Sequence, residues 1–425
     1  MNRTTAAVAV MVIVLAAPLV GGGAASAVPP AGACRDPEPA RPTVTDLPWA
    51  QQLLDLRGAW RHSTGTGVTV AVIDSGVDGD HPQLTGSLLR GRDFFLAGDL
   101  PGGFDCVSHG TAVGSVVAAR PVDGVGFHGV APGAKILPVR ITDRQLADSG
   151  QPTPIDPAVL ARGIRYAADQ RATVINLSVS GYGDFPAVRA AVDYARSKDA
   201  LVVAAVGNRE DAAAAYPAGY PGVLGVGAID AGGARASGSQ AGVDIVAPGA
   251  AVIAAARVGG HAWWDGTSIA APFVAGTAAL VRSARPDLSA DQVARVLLAT
   301  AAPARGGRDS PDYGAGIVDP YRAVTESQAV RAPGPMPAVA IPPPDPQALH
   351  AAAWWQRTGG AATACLGVAA TVILLAAVFA WAVPRGRRRR WTPTRAAPPP
   401  VALVVDELPE ETFLFPAPAI ERGDR

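Results

Sequence analysis

Apolar runs of strand length alternate with helical stretches over most of this 425-residue chain. The runs are "GVTVAVID", "AKILPVRI", "ATVINLSVS", "ALVVAAVGN", "GVLGVGAI" and "VDIVAP". Continuous apolar strands separated by helices indicate βαβ units and a parallel sheet that is covered on both faces. We therefore predict an α/β domain over residues 53–325, with a mainly parallel sheet between two layers of helices.

The first 27 residues have the features of a secretory signal peptide. Arg3 precedes an apolar run from Ala6 to Val20, and Ala25-Ser26-Ala27 supplies the small residues that a signal peptidase requires. We expect cleavage after Ala27, with an uncleaved N-terminal anchor as the alternative.

Residues 359–383, near the other end, form an uncharged apolar segment that predicts one transmembrane helix. The segment has 25 residues, about 37 Å of helix, which is enough to cross a hydrocarbon core of about 30 Å. The Arg-rich sequence "PRGRRRRWTPTR" follows directly, and Arg-rich flanks stay in the cytoplasm. A buried core helix is the alternative. The prediction is a single-pass cell-membrane protein with its α/β domain outside the cytoplasm and its C-terminal tail inside.

Three further segments lack the alternating pattern. Residues 28–52 form an N-terminal extension that is rich in proline at its start, and residues 326–358 form a proline-rich linker. The tail 384–425 begins with basic residues, and we expect it to be cytoplasmic and disordered. Positive and negative charges balance at 36 each, so composition gives no reason to expect a nucleic-acid partner.

Polar residues of catalytic type lie where the predicted strands end or the predicted helices begin. Asp74 closes one strand and Asn208 closes another, whereas His109 and Ser268 each open a helix. Functional groups of open parallel sheets gather at the carboxyl ends of the strands. Taken singly, each residue has a plain alternative, since such an Asp is often a capping or ribose-binding residue and such a Ser an N-cap.

The order Asp…His…Ser is the order of the subtilisin triad. The segments "VAVIDSGVDGDHP", "SHGTAVGSVVAA", "AAVGN" and "GTSIAAPFVAG" resemble those of the subtilisin-like (subtilase) serine proteases. The resemblance implies a subtilisin-like fold, with Ser268 as nucleophile, His109 as general base and Asp74 as the residue that orients His109. It also implies that Asn208 contributes to the oxyanion hole.

The same resemblance implies where a peptide substrate binds. "NLSVSG" matches the edge segment of the family that pairs with extended substrate, so Ser178, Val179 and Ser180 are expected to make main-chain contacts. "AAYPAGYP" matches a wall of the specificity pocket, and Ala204, Ala205 and Ala215 are expected to line a small or medium apolar pocket.

Two further stretches, "LPWAQQLLDLRGAWRHSTGTGVTVAVIDSG" and "DCVSHGTAVG", resemble the mycosins, the membrane-anchored subtilases of type VII secretion systems. This resemblance implies a disulfide between Cys34 and Cys106, which an exported protein can retain. Cys365 lies in the predicted membrane helix and is interpreted as a small apolar residue. The extension is too short for the inhibitory propeptide usual in the family, so we expect it to brace the domain rather than block the cleft.

Neither a metal nor a cofactor is predicted. No acidic cluster has the spacing of a calcium loop and no cysteine–histidine set has the spacing of a zinc site. His81 is interpreted as structural, and His62, His128 and His261 as surface or satisfied side chains.

The leading hypothesis is a membrane-anchored extracytoplasmic serine endopeptidase that processes proteins exported by a type VII secretion system. Its partners are then protein or peptide substrates, the membrane and the secretion membrane complex. One alternative is a structural subunit that stabilises that complex, and another is a general cell-surface subtilase.

Overall fold

The computed structural model describes residues 33–34, 39–96, 99–143, 154–209, 214–326 and, apart from 379 and 382, residues 367–387. The predicted signal peptide, nearly all of the proline-rich linker, Cys365 and most of the tail lie outside these residues. The C-terminal helix belongs to a separate compact unit and is treated by itself.

In the described residues the domain contains eight helices and nine strands. The helices are α1 Trp49–Leu54, α2 Leu56–Trp60, α3 His109–Ala118, α4 Pro157–Asp169, α5 Pro186–Ser197, α6 Thr267–Ala284, α7 Ala290–Thr300 and α8 Pro320–Thr325. The strands are β1 Thr69–Asp74, β2 Arg92–Asp93, β3 Lys135–Arg140, β4 Val174–Leu177, β5 Leu201–Ala205, β6 Leu224–Ile229, β7 Ile245–Pro248, β8 Val252–Ala255 and β9 His261–Trp264.

Seven of the strands form one parallel sheet in the order β2-β3-β1-β4-β5-β6-β7. Alternate residues of strands β1, β3, β4 and β5 enter two separate core clusters, one on each face of the sheet. Helices α3 and α6 cover one face, and α4 and α5 cover the other. The predicted three-layer α/β fold is confirmed, because strands buried on both faces require helices on both sides.

The C-terminal helix spans Gly367–Arg387, 21 residues. At 1.5 Å per residue it is about 31 Å long, so by length and composition it could cross a membrane. The predicted segment 359–383 overlaps this helix, and its first eight residues lie outside the described part of the chain.

Strands β8 and β9 form an antiparallel hairpin that the sequence analysis did not predict. Residues 41–46 of the N-terminal extension pack against its tip. The Arg41 N–H donates to the Gly259 carbonyl at 2.9 Å, and the His261 N–H donates to the Pro42 carbonyl at 3.0 Å. Gly260 has φ of 76°, and a Cβ there would lie 1.8 Å from the Arg41 carbonyl oxygen. Only glycine therefore permits this close approach.

His261 connects the extension to the core through both ring nitrogens. Its Nδ1 accepts from the Val44 N–H at 3.1 Å, and its Nε2–H donates to Gln83 Oε1 at 2.8 Å. This pattern requires a neutral ring. Burial, with His81 nearby, lowers the pKa of His261 to about 4, and burial lowers the pKa of His128 to about 4 as well.

The extension is also joined to the domain covalently, because Cys34 forms a disulfide with Cys106. The two cysteines are 72 residues apart, and Cys106 lies three positions before His109. The disulfide and the contacts of residues 41–46 thus hold the extension at two places.

We predict that replacing Cys34 and Cys106 together with Ser destabilises the domain. The cross-link closes a 72-residue loop, and the chain-entropy account assigns about 4 kcal/mol to such a closure. Thermal unfolding of the full-length protein without reductant measures the effect. An unchanged melting temperature would show that the extension does not brace the domain.

We also predict that His261 lowers the stability of the domain as the pH falls from about 6.5 to about 4. The pKa of His261 is lower in the folded state than its ordinary 6.5, so the unfolded state binds more protons in this window. The contribution of His261 is therefore full above pH 6.5 and is on the order of 3 kcal/mol. Chemical denaturation at several pH values should show a shallower dependence for His261→Asn. The exposed His62→Asn is the control and should keep the wild-type slope.

Candidate active site

Three elements on one side of the sheet bring the predicted Asp, His and Ser together. Asp74 is the last residue of β1, His109 is the first of α3, and Ser268 is the second of α6. Helices α3 and α6 pack side by side on one face of the sheet. His109 therefore meets both Asp74, which is 35 positions away in sequence, and Ser268, which is 159 positions away, at the carboxyl end of β1.

A continuous chain of hydrogen bonds connects the three side chains. His109 Nδ1–H donates to the Asp74 carboxylate, at 2.8 Å from Oδ1 and 2.9 Å from Oδ2. Ser268 Oγ lies 3.0 Å from His109 Nε2. A carboxylate can only accept, so Nδ1 carries the proton, and Nε2 is left to accept the Ser268 hydroxyl proton. This arrangement can raise the nucleophilicity of Ser268.

The surroundings of Asp74 and His109 exclude water. Asp74 is 0% exposed and His109 is 2% exposed. The Ser75 N–H donates a further hydrogen bond to Asp74 Oδ1 at 2.7 Å. The Trp264 ring packs edge-on to the His109 ring, with 5.9 Å between the centroids. Low exposure strengthens the attraction between the Asp74 carboxylate and an imidazolium.

Asn208 lies beside the start of α6 with a fixed amide orientation. Its Oδ1 accepts from the Thr267 N–H at 2.9 Å and from Thr267 Oγ1–H at 3.0 Å. The Nδ2 group therefore faces away from Thr267 as a donor. A Cβ on Gly266, where φ is 121°, would lie 2.8 Å from Nδ2, so glycine is required at this position.

Residues 178–180 continue from the end of β4 toward Ser268. Ser178 Oγ–H donates to the Ser268 carbonyl at 2.6 Å, and Asn176 Nδ2 donates to Ser178 Oγ at 2.9 Å. Val179 packs into the core. Among the described residues, the backbone of 178–180 has no backbone hydrogen-bond partner, whereas Gly181 pairs with Tyr216 in both directions. The three residues are 1%, 1% and 6% exposed.

The three alanines expected in a specificity pocket do not share one lining. Ala204 and Ala205 are consecutive residues of β5, so their side chains point to opposite faces of the sheet. They pack in two different core clusters and are 0% and 2% exposed. Ala215 lies next to Tyr216, outside the sheet, and is also buried. The expectation that all three side chains line one pocket overlooked the alternation within β5.

Sequence reasoning also missed residues that complete the site. Thr267 fixes Asn208, Trp264 contacts His109, and Asp105 binds the residues that flank Asp74 and His109. The pair Gly259–Gly260, between "VIAA" and "HAWW", is a hairpin signal that would have predicted β8 and β9, which contains Trp264. Asp105 and Thr267 have no comparable signal, because their roles depend on contacts between distant segments.

Histidines other than His109 do not join the hydrogen-bonded chain. His81 Nε2–H donates to the Gly260 carbonyl at 3.2 Å, and His261 contacts Gln83 and Val44. His128 is buried beside Trp60. In the described part of the chain, no group of three or more His, Cys, Asp or Glu is arranged to hold a metal ion.

Comparison with known proteins identifies this arrangement. The profile of the subtilase family (Peptidase S8) matches residues 65–316, which contain all three residues of the chain of hydrogen bonds. The protein is 36% identical over 374 residues to mycosin-4 from Mycobacterium tuberculosis, covering 76% of this chain and 80% of mycosin-4. The chain spans only 41% and 55% of the lengths of two other curated relatives, fervidolysin from Fervidobacterium pennivorans and the thermophilic serine proteinase from Bacillus sp. (strain AK1).

Solved structures show the same similarity. The MycP3 protease from the type VII (ESX-3) secretion system superposes with a TM-score of 0.59 at 33% identity, covering 69% of this chain and 97% of MycP3. MycP1, described as an essential component of the type VII (ESX-1) secretion system, superposes with a TM-score of 0.59 at 35% identity, covering 68% of this chain and 92% of MycP1. The fold is thus subtilisin-like, and the chain belongs to the subtilase family and, within it, to the mycosins.

Proposed function

We propose that this protein is a serine endopeptidase that uses Asp74, His109 and Ser268 as its catalytic triad. The hydrogen-bonded chain from the Asp74 carboxylate through His109 to Ser268 Oγ is the observation that carries the proposal. Ser268 Oγ attacks the scissile carbonyl while His109 Nε2 takes its proton. His109 then returns that proton to the leaving amine, and Asp74 stabilises the imidazolium that forms in between.

Two donors are suited to hold the oxyanion of the tetrahedral intermediate. One is Asn208 Nδ2, because Thr267 occupies the Oδ1 side of this amide. The other is the backbone N–H of Ser268, in the first turn of α6, where helix N–H groups have no partner within the helix. Such donors act on charge that develops only in the transition state.

Residues 178–180 provide an edge for strand addition by an extended peptide. Their backbone has no backbone partner among the described residues, and Ser178 is directly bonded to the Ser268 carbonyl. A peptide paired with this edge would therefore be held beside the nucleophile. Main-chain hydrogen bonds would supply affinity, and pockets for its side chains would supply selectivity.

We further propose that the domain is exported, anchored by the C-terminal helix, and active on proteins leaving through a type VII secretion system. The apolar helix Gly367–Arg387 supports anchoring, and the disulfide between Cys34 and Cys106 supports an oxidising compartment. Similarity to mycosin-4 and to MycP3 supports the secretion role. In this topology the Arg-rich tail lies in the cytoplasm.

A structural role in the secretion membrane complex is a second candidate. It is favoured by the similarity to MycP1, a component described as essential to its secretion system. The two roles differ in whether they require Ser268, and this difference allows them to be separated.

Ser268→Ala should abolish proteolysis and labelling by a serine-directed fluorophosphonate. Without the Ser268 hydroxyl no acyl-enzyme forms, and turnover should fall about 10⁶-fold. Labelling and peptide hydrolysis are measured on the full-length protein in detergent. The control is Ser197→Ala, since Ser197 is an exposed residue at the end of α5. Equal labelling of Ser268→Ala and wild type would contradict the assigned nucleophile.

The secretion role is tested by sequencing the termini of proteins exported by wild-type and Ser268→Ala cells of the native strain. We expect some exported proteins to keep uncut termini in the variant, because the membrane-anchored protease would act as they emerge. Secretion that continues with uncut substrates separates a scaffold role from catalysis. Identical termini in both strains would contradict processing of exported proteins.

A further inference from the structure

The carboxylate of Asp105 is buried next to the proposed triad and accepts four hydrogen bonds. Its Oδ1 accepts from Ser75 Oγ–H and from the Val107 N–H, both at 3.0 Å. Its Oδ2 accepts from the Thr111 N–H at 2.9 Å and from Thr111 Oγ1–H at 2.7 Å. Asp105 is 3% exposed, so these bonds are shielded from solvent.

The donors to Asp105 flank both Asp74 and His109. Ser75 directly follows Asp74, and its backbone N–H donates to the Asp74 carboxylate at 2.7 Å. Thr111 lies two residues after His109 in the first turn of α3. Ser75 Oγ also accepts from the Gly110 N–H at 2.9 Å, which links the end of β1 to the start of α3. The Asp105 carboxylate thus connects the segment that contains Asp74 with the segment that contains His109.

The loop that Asp105 organises has an unfavourable backbone conformation just before His109. Ser108 has φ of 66°, in the left-handed region, which a residue with a Cβ adopts at a cost of about 1–2 kcal/mol. Asp105 holds the chain before and after Ser108, because it accepts hydrogen bonds from the N–H groups of Val107 and Thr111. The Arg257 N–H donates to Ser108 Oγ at 3.0 Å from the tip of the hairpin.

We propose that Asp105 is a positioning residue, which sets the geometry of the hydrogen bond between His109 Nδ1 and Asp74. The inference rests on the proposed function of the triad and adds a residue to it. Asp105 bonds to neither the His109 ring nor Ser268, so it acts through Ser75, Gly110 and Thr111. An ionised carboxylate can accept from all four groups at once, whereas a protonated one would have to donate to one of the two hydroxyls.

The charge state of Asp105 determines the conditions of the test. Burial, with a smaller contribution from the nearby Asp74 carboxylate, raises the pKa of Asp105 to about 6 against the hydrogen bonds from Val107 and Thr111. At pH 8 Asp105 is therefore ionised in the wild-type protein, and the variants are compared with the wild type at this pH.

Asp105→Asn tests the proposal with little change in shape. An amide has only one acceptor oxygen, so it leaves either the Thr111 N–H or the Val107 N–H facing an NH₂ group. We expect kcat to fall about 10²-fold while KM stays near that of wild type, because the substrate edge at 178–180 is untouched. The resonance of His109 Nδ1–H in proton NMR spectra should also shift or disappear.

Matched variants separate positioning from a general loss of stability. Thr111→Val removes one donor to Asp105 and should lower kcat less than Asp105→Asn, whereas Thr111→Ser keeps the hydroxyl and should preserve kcat. Asp319→Ala removes the N-cap of α8, outside the site, and should lower the melting temperature but not kcat. All variants are measured as full-length protein in detergent, below their melting temperatures.

Different results would contradict the positioning role of Asp105 and the proposed protease function. An unchanged kcat and an unchanged Nδ1–H resonance in Asp105→Asn would overturn the positioning role, and so would equal effects of Thr111→Val and Thr111→Ser. A wild-type protein that neither hydrolyses peptides nor reacts with the fluorophosphonate would instead contradict the proposed function. Even then the resonance still reports whether Asp105 sets the His109–Asp74 geometry.

Discussion

The buried carboxylate of Asp74 is the group on which the rest of this structure depends. An unpaired anion that is 0% exposed would cost several kcal/mol, so the fold must supply donors to it. The Ser75 N–H and His109 Nδ1–H are such donors, and each comes from a segment that is itself held in place. Because β1 pairs with both β3 and β4, its carboxyl end has little freedom to move. The position of Asp74 therefore determines where α3 has to begin.

Sequence patterns were sufficient for the elements with continuous apolar runs or clear helical periodicity. The predicted runs "GVTVAVID", "AKILPVRI" and "ALVVAAVGN" contain β1, β3 and β5. These elements are specified locally, by residues that face a core on one side or on both. The Asp, His and Ser were found because each lies at the boundary of such an element.

The elements that were missed depend on contacts between distant segments. Strands β8 and β9 form a separate two-stranded sheet, and the extension that covers their tip has no periodicity of its own. Ala204 and Ala205 were assigned to one pocket because motif matching treats neighbours as a unit, whereas the strand turns them to opposite faces. Asp105 was overlooked because its four donors come from three places in the sequence, Ser75, Val107 and Thr111.

The site consists of two halves, one around Ser268 and one around His109, and each is held by its own set of hydrogen bonds. On one side, Ser268 is held by the buried helix α6, by Ser178 at its carbonyl, and by Thr267 bonded to Asn208. On the other side, His109 is held by Asp74 and by the loop that contains Asp105.

At the reacting atoms, the two halves are joined by the 3.0 Å hydrogen bond from Ser268 Oγ to His109 Nε2. A proton transfer needs this distance to be maintained while the partners change charge. The disulfide at Cys106 and the contact of Arg257 with Ser108 both lie on the His109 side. The extension and the hairpin thus add constraints to the His109 half, which contains the left-handed residue Ser108. In the other half, Ser268 lies at the start of a helix that is already buried in the core.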